Sequence, residues 1–425
     1  MSVKDSSMER TNIEVSKMKS ICRRLFCMRF SSSGRLQFNR ISLLALVAYL
    51  LLVQLLLAHL WRSTYKIHSM EIRLPQAALS SQTPGAYLCT AVSLRDPRNA
   101  SAIRPIYIVE FEPLVPPNPT NSEIHVHHML LAECNELPEG VGVNGHGWWN
   151  CGLGHHKDSA VSGNSSKEMC SVRQRYLFAY SNSAEAFQLP RKVAMPVGDS
   201  RFYGGAHLVL QVHYSSGNQR LHVHPNQHHS PAVGDRRPGL RLRYLNETGN
   251  HYRVAGVHLS STSIRPDVRS RHTTGCEYTG ELPIRPFGLR VHTHSLGRLV
   301  SVYRVRRPRL PQDPMVWHLI GQADPRQPQA YYAANASSDL TVKPGDLIAT
   351  ACATTGGRGG RSAPVETCNA WLIFWFEQLD ALSKVTGPDG HEGKVDLQQD
   401  CISSGSALSL WSDAPKWVEK QAFLV

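Results

Sequence analysis

The chain has 425 residues, 41% of them hydrophobic and 8% aromatic, a composition that supports packed cores and excludes wholesale disorder. Its net charge is +13, but residues 1–40 hold nine Lys/Arg against three Asp/Glu, so +6 of that excess lies in a short N-terminal tail. The rest is spread thinly apart from patches such as Arg304 to Arg309, and no recognition motif accompanies it, which argues against nucleic-acid binding.

After the basic tail, residues 41–61 read ISLLALVAYLLLVQLLLAHLW, a run of 21 without a formal charge. As a helix it would extend about 31 Å, enough for a bilayer core and longer than the apolar stretch of a cleavable signal peptide. Basic residues stay cytosolic, so the run reads as a signal anchor of a single-pass type II protein with its bulk in the lumen. A buried soluble helix is the alternative, and cleavage below the span would release a soluble form. Cys22 and Cys27 precede the run. Cys89, Cys134, Cys151, Cys170, Cys276, Cys352, Cys368 and Cys401 follow it. Eight cysteines in an oxidising lumen predict four disulfides; zinc is the competing use, but no Cys-x-x-Cys pair is present. Glycosylation sequons at Asn99, Asn164, Asn246 and Asn335 also lie beyond the run.

Past a stalk at 62–68, short β-rich runs recur between Gly, Pro, Asn and Ser: Ile106–Phe111, His125–Leu131, His207–Tyr214, Leu240–Tyr244, Arg290–Val305, Leu347–Ala353 and Ala370–Glu377. This pattern predicts an all-β chain of two antiparallel β-sandwich, jelly-roll-like domains behind an N-terminal transmembrane helix. The turn-rich stretch 215–239 puts the boundary near 250. The expected parts are a cytosolic tail (1–40), an anchor (41–61), an N-terminal domain (69–250), a C-terminal domain (251–405) and a tail with little core of its own (406–425).

Three histidine runs carry the candidate chemistry. In RVHTHSLGRLVSVYRV, His292 and His294 stand at i and i+2 of a strand, so both rings share one face. Imidazole pairs suit copper and zinc, although a lone H-x-H is more often a solvated or hydrogen-bonded strand pair. In HLVLQVHY, Leu208, Leu210 and Val212 take one face, and His207, Val209, Gln211 and His213 the other. His213 alone reads more readily as a satisfied strand histidine than as a ligand. In HVHHMLLAEC, His127 and His128 are neighbours that an ideal strand would send to opposite faces. If both bind one metal, the strand twists or ends there, or the rings use different nitrogens. His125 shares the face of His127. The loop histidines His155, His156, His222, His224, His228 and His229 read as solvated.

Taken in order, HHMLL, LVLQVHY and VHTHSLGRLVSVYRV resemble the copper-ligand segments of the copper type II, ascorbate-dependent monooxygenases, in particular the peptidylglycine α-hydroxylating group. MEIRLP, Tyr87-Leu-Cys89, WHLIG, PQAYY and Thr367-Cys-Asn369 extend the likeness over roughly residues 69–405. The resemblance implies two copper ions, ascorbate as electron donor, molecular oxygen as co-substrate and a glycine-extended peptide hydroxylated at the glycine α-carbon. It implies that His127, His128 and His213 hold the first copper, and that His292 and His294 hold the second. It places substrate contacts at Arg290, Asn369, Trp371 and Tyr87, with Arg290 meeting the substrate carboxylate. It also implies the disulfides Cys89–Cys151, Cys134–Cys170, Cys276–Cys401 and Cys352–Cys368.

This sequence departs from the family pattern where the third ligand of the second copper, a methionine, should stand directly before Cys-Asn: the residue is Thr367. A soft thioether suits Cu(I), whereas a hydroxyl is hard. The aromatic pocket position, usually tyrosine, is Trp371, and the preceding loop is short and rich in Gly and Arg. Met315 is a conceivable substitute only from another strand. Three readings compete: an active peptide α-hydroxylase with an altered second site, a non-catalytic copper- or peptide-binding relative, and a catechol-type hydroxylase. The third is disfavoured because that group usually carries an extra domain before the copper core. About 20 residues follow Cys401, so a separate lyase is expected to complete amidation.

Overall fold

Alternation of β-branched and aromatic residues with polar ones governs most of the described chain, and strands form there. The first half contains β1 (His68–Arg73), β2 (Tyr87–Ser93), β3 (Ile106–Leu114), β4 (Ile124–Cys134), β5 (Arg175–Ser181), β6 (Val193–Val197), β7 (His207–Ser216) and β8 (Gly239–Leu245). The second contains β9 (Arg253–Ile264), β10 (Arg271–Glu277), β11 (Ile284–Thr293), β12 (Gly297–Arg306), β13 (Val316–Ala323), β14 (Leu347–Thr354), β15 (Glu366–Phe376) and β16 (Gln398–Ile402), then the helix α1 (Lys416–Phe423). The structure is a computed structural model. It describes residues 46–54 and most of 66–423. The segments 79–84, 116–123, 153–166, 217–234, 265–270, 336–339, 356–365, 377–395 and 403–410 lie outside the described residues, as do shorter stretches including His294.

Among the described residues no helix is long and apolar enough to cross a membrane. Of the 41–61 run only 46–54 are described, as helix. Ile67–Val425 forms one compact unit. Within it, β1, β8, β3 and β6 lie side by side and continue through β9, β15 and β11. A five-stranded sheet holds β2, β7, β4 and β5, and a four-stranded sheet holds β10, β14, β12 and β13. Pairing is antiparallel except where β9 meets β6 (Val193↔Arg253, Ala194↔Val254) and β16. The chain is therefore mostly β with several antiparallel sheets, and one sheet runs continuously past the boundary expected near 250.

Two main cores fill the space between these sheets. In the first, Leu208, Leu210 and Val212 on one face of β7 pack with Ile72, Phe111, Met129, Leu131 and Phe178. Phe111 and Phe178 stack at 4.8 Å with planes 3° apart. Each such fully buried ring contributes roughly 1.5–3 kcal/mol of transfer free energy. The other face of β7 presents Val209 to a smaller cluster with Cys89, Cys151, Cys134 and Cys170. In the second core, Ile284 and Leu289 of β11 and Leu372 and Phe374 of β15 meet Val302 and Ile348. All four disulfides implied by the resemblance are formed: Cys89–Cys151, Cys134–Cys170, Cys276–Cys401 and Cys352–Cys368.

A buried ion pair secures the far end of β4. Arg175 Nε donates to Glu133 at 2.7 Å, and the same carboxylate accepts the backbone N–H groups of Gly198 and Gly205, each at 2.7 Å. A Cβ on Gly205 would lie 2.4 Å from Glu133 Cγ, so the close approach requires glycine.

Two sequence expectations are corrected. Arg290–Val305 is not one strand: β11 ends at Thr293 and β12 begins at Gly297. A Cβ on Gly297 would lie 1.9 Å from Thr293 Oγ1, so the reversal packs too tightly for any side chain there. The segment expected as a loose tail carries α1, whose Val418 and Ala422, one turn apart, are fully buried against Tyr303, Trp317 and Trp411.

Candidate metal and substrate site

The first histidine set is assembled by a register fault. Across β7 and β4, His213 pairs with His128, yet the next pair is Tyr214 with Val126. His127 is the extra residue of a β-bulge, so two neighbouring residues oppose one. This resolves the objection that adjacent strand residues face opposite ways. The three Nδ1 atoms form a nearly equilateral triangle: His127–His213 3.3 Å, His127–His128 3.2 Å and His128–His213 3.3 Å. Its centre lies about 1.9 Å from each nitrogen, close to the roughly 2.0–2.1 Å of an imidazole–metal bond. The three histidines form the one metal-binding cluster found among the described residues. Burial first, then the positive charges of His213, His127, His292 and Arg290, hold His128 well below the usual histidine range. It is therefore neutral, as a ligand must be.

Tyr87 lies across the ladder from His213 and stacks on it at 4.0 Å with planes 9° apart. Burial pushes its phenol up to about 12, so it stays protonated at neutral pH. Tyr87 thus stands beside the trihistidine cluster, on β2.

The second set begins on β11. The register puts Arg290 directly opposite Trp371 and His292 directly opposite Asn369. Residues two apart on one strand share a face, so Thr367, Asn369 and Trp371 line up beside Arg290 and His292. His292 is described and half-buried, whereas His294 lies outside the described residues. The His292 ring stands 6.2 Å from that of His128, so His292 adjoins the first histidine set.

Gln329, which the sequence reading quoted within PQAYY but gave no role, ties this region together. Its Nε2 donates to the carbonyls of Thr293 at 3.2 Å and Pro325 at 3.0 Å, which identifies the other amide atom as oxygen. That oxygen accepts from Ser181 Oγ at 2.8 Å and lies 2.6 Å from His292 Nδ1. His292 Nδ1 must then carry the proton, which leaves Nε2 as the lone pair available to a metal. Ser181, the ladder partner of His128, accepts from Arg290 Nη2 at 2.6 Å, and Arg290 Nε donates to the Gln329 carbonyl at 3.0 Å. Nothing in its setting after Pro328 pointed to this role; its partners lie on two distant strands, β5 and β11, and at Pro325.

Arg290 is 3% exposed, and burial pulls its guanidinium down to about 10, with no carboxylate among the groups that act on it. A buried cation held only by neutral acceptors is suited to an incoming carboxylate. Asn369 Oδ1 accepts from Ser261 Oγ at 2.7 Å. Trp371 is buried edge-on to Tyr176 at 5.6 Å. Thr367 is half-buried, and Cys368 beside it is bonded to Cys352. Met315 packs with Tyr303 and Trp317 in the cluster under α1, away from His292. Asn99, Asn246 and Asn335 are exposed, and Asn164 lies outside the described residues, as do the six loop histidines.

Comparison with known proteins follows this division. Residues 70–221 match the N-terminal domain of the copper type II ascorbate-dependent monooxygenases, and residues 252–412 match their C-terminal domain. The chain is similar to peptidyl-glycine alpha-amidating monooxygenase A of Xenopus laevis, 30% identical over 77% of this chain and 30% of that protein. Monooxygenase B of the same frog is 29% identical over 75% of this chain and 31% of its own length. The peptidylglycine alpha-amidating monooxygenase of Rattus norvegicus is 30% identical over 75% of this chain and 28% of its own length. The chain thus spans about a third of the length of these relatives. Among solved structures, infectious bursal disease virus Gt strain overlays with a TM-score of 0.18 at 8% identity over 73% of this chain and 72% of the viral one, too little to bear on the fold.

Proposed function

This chain belongs to the copper type II ascorbate-dependent monooxygenases, and on that footing we propose that it hydroxylates the α-carbon of the C-terminal glycine in glycine-extended peptides, the first step of peptide amidation. The observation that carries this reading is Arg290: a buried guanidinium without an acidic partner, two residues along the strand from His292. A peptide's terminal carboxylate bound there would set its last residue beside the adjoining histidine sets.

In this reading His127, His128 and His213 hold one copper through Nδ1. His292 Nε2 and His294 hold the other, with Thr367 in the third ligand position. The coppers supply electron transfer and oxygen activation when bound, with ascorbate as reductant and molecular oxygen as co-substrate. The chain's own groups do the positioning. Ser181 and the Gln329 carbonyl aim the Arg290 fork, the Gln329 side chain fixes the His292 tautomer, and Asn369 faces the substrate side of His292. The product, an α-hydroxyglycine, needs a lyase to yield the amide. The eight paired cysteines fit an oxidising lumen, and 41–61 would anchor the protein as a single-pass type II membrane protein, from which cleavage could release it.

Thr367 favours a second reading, a relative that binds copper or peptide without turnover, because no thioether stands at that position. The discriminating experiment incubates the purified lumenal part with a glycine-extended peptide, copper and ascorbate. A product one oxygen atom heavier supports hydroxylation. Absence of product from the wild type, with product from Thr367→Met, supports the binding reading.

A further inference from the structure

Helix α1 lies beyond the part of the chain that matches the family's C-terminal domain, which ends at residue 412. It covers an aromatic cluster of Tyr303, Trp317 and Trp411. Trp417 stands at its outer edge. One edge of this ring meets Tyr303 at 6.5 Å, yet the side chain is 48% exposed. Trp417, Leu319, Lys420, Gln421 and Asn335 line a groove of about 610 Å³. The lining of the groove is mostly apolar, and the exposed indole stands at its rim.

Asn335 is itself a wall of this groove and begins the sequon Asn335-Ala336-Ser337. Its side chain is exposed, and its backbone N–H donates to the Ile320 carbonyl at 2.6 Å, which ties the residue to β13. The other exposed sequon asparagines have different surroundings. Asn99 Oδ1 accepts the N–H of Ser101 at 3.1 Å, and Asn246 Nδ2 lies 3.1 Å from His68 Nε2; neither lines this groove.

We propose that Asn335 carries an N-linked glycan whose first N-acetylhexosamine seats in this groove on the face of Trp417. A pyranose presents C–H groups on its flat face, which suit an indole ring, and hydroxyl and acetamido groups at its edge. Lys420 and the Gln421 amide nitrogen supply donors for those groups. In the attachment step, Asn335 Nδ2 bonds to the anomeric carbon of a lipid-pyrophosphate-linked oligosaccharide. The anomeric C–O bond breaks, the lipid pyrophosphate leaves, and a base of the transferase takes the amide proton. The seated sugar would fasten α1 over the aromatic cluster. This inference rests on the lumenal orientation proposed above.

The test expresses the full chain in a secretory eukaryotic host and maps glycans by peptide mass spectrometry. Native protein is then treated with a peptide N-glycosidase, and the release rate at each site is followed. The expected result is occupancy at Asn335 and release there at least about tenfold slower than at Asn99. Trp417→Ala should keep the occupancy and abolish the slow release; Trp417→Phe, a milder change, should retain part of it. Glycans at Asn99 and Asn246 but none at Asn335, or equally fast release at Asn335, would overturn the inference while leaving the lumenal reading intact. No glycan at any site would overturn both.

Discussion

Tyr87 lies flat against His213, ring centroids 4.0 Å apart, on the strand next to the one that carries the imidazole. The stack holds the ring of one ligand at the angle that brings its Nδ1 to the other two histidines. Outer partners of this kind typically change metal affinity 10–100-fold when lost. Tyr87→Ala should weaken copper at the trihistidine site by roughly tenfold or more, whereas Tyr87→Phe, which keeps the stack, should stay within about twofold. Competition with a chelator of known affinity measures both. Equal losses in the two variants would mean that the phenol, not the stack, matters.

Arg290→Lys keeps the charge but not the fork that reaches both Ser181 and the Gln329 carbonyl. It should lower kcat/KM for a glycine-extended peptide by about 30–100-fold, or roughly 2–3 kcal/mol. Ser181→Ala removes one hydrogen bond to a charged group and should cost less, about 1.5–2 kcal/mol. Steady-state kinetics on both variants check the order. A Lys variant as active as wild type would remove Arg290 from the substrate site.

Thr367→Met would place a soft ligand on the face shared by His292 and Asn369. Cu(I) affinity at the weaker of the two sites should rise at least about tenfold, with the trihistidine site unchanged. Titration of the reduced protein with Cu(I) against a competing ligand reads both sites. An unchanged weaker site would show that Thr367 does not face the metal.

His258 is 3% exposed, and burial pulls its imidazole down to about 4. The neutral form is the folded one, so its contribution is complete above about pH 6.5 and is lost as pH falls toward 4. Between pH 7 and pH 5 this residue alone should remove about 2 kcal/mol of stability. Denaturant unfolding of wild type and His258→Leu at the two pH values isolates the effect, since the variant should lose that much less. Parallel losses would place the acid sensitivity elsewhere.

Cys276–Cys401 spans 125 residues and Cys352–Cys368 spans 16. Chain entropy makes the longer loop worth about 5 kcal/mol and the shorter about 3. Replacing the first pair by serine should therefore shift the urea midpoint more. Replacing the second should mainly impair binding at the His292 site, because Cys368 sits between Thr367 and Asn369. Equal midpoint shifts would contradict the entropic account.

Much of the site could be read from residue order. The alternation in HLVLQVHY predicted that Leu208, Leu210 and Val212 share a face, and they share a core. What the alternation could not predict was the bulge at His127, because a skipped ladder position depends on the partner strand and leaves no local signature. The break after Thr293 was missed for a similar reason. Ser295, Leu296 and Gly297 link two strand-like runs without a proline, and the contact of Gly297 with Thr293 reveals the reversal. Gln329 carries no signal in the sequence because a glutamine after Pro328 has no chemistry of its own until Ser181, Arg290 and His292 surround it.

Composition and motif order were enough to indicate a β-rich chain, its candidate ligand histidines and the threonine at position 367 where the family pattern has methionine, because these depend on side-chain type and period along one strand. Three-dimensional packing was needed to bring three Nδ1 atoms within 3.3 Å of one another, to leave Arg290 buried without an acid and to set His292 6.2 Å from His128. Those relations join residues up to 164 positions apart, and the free energy that holds them comes from sheets and cores shared by both halves of the chain.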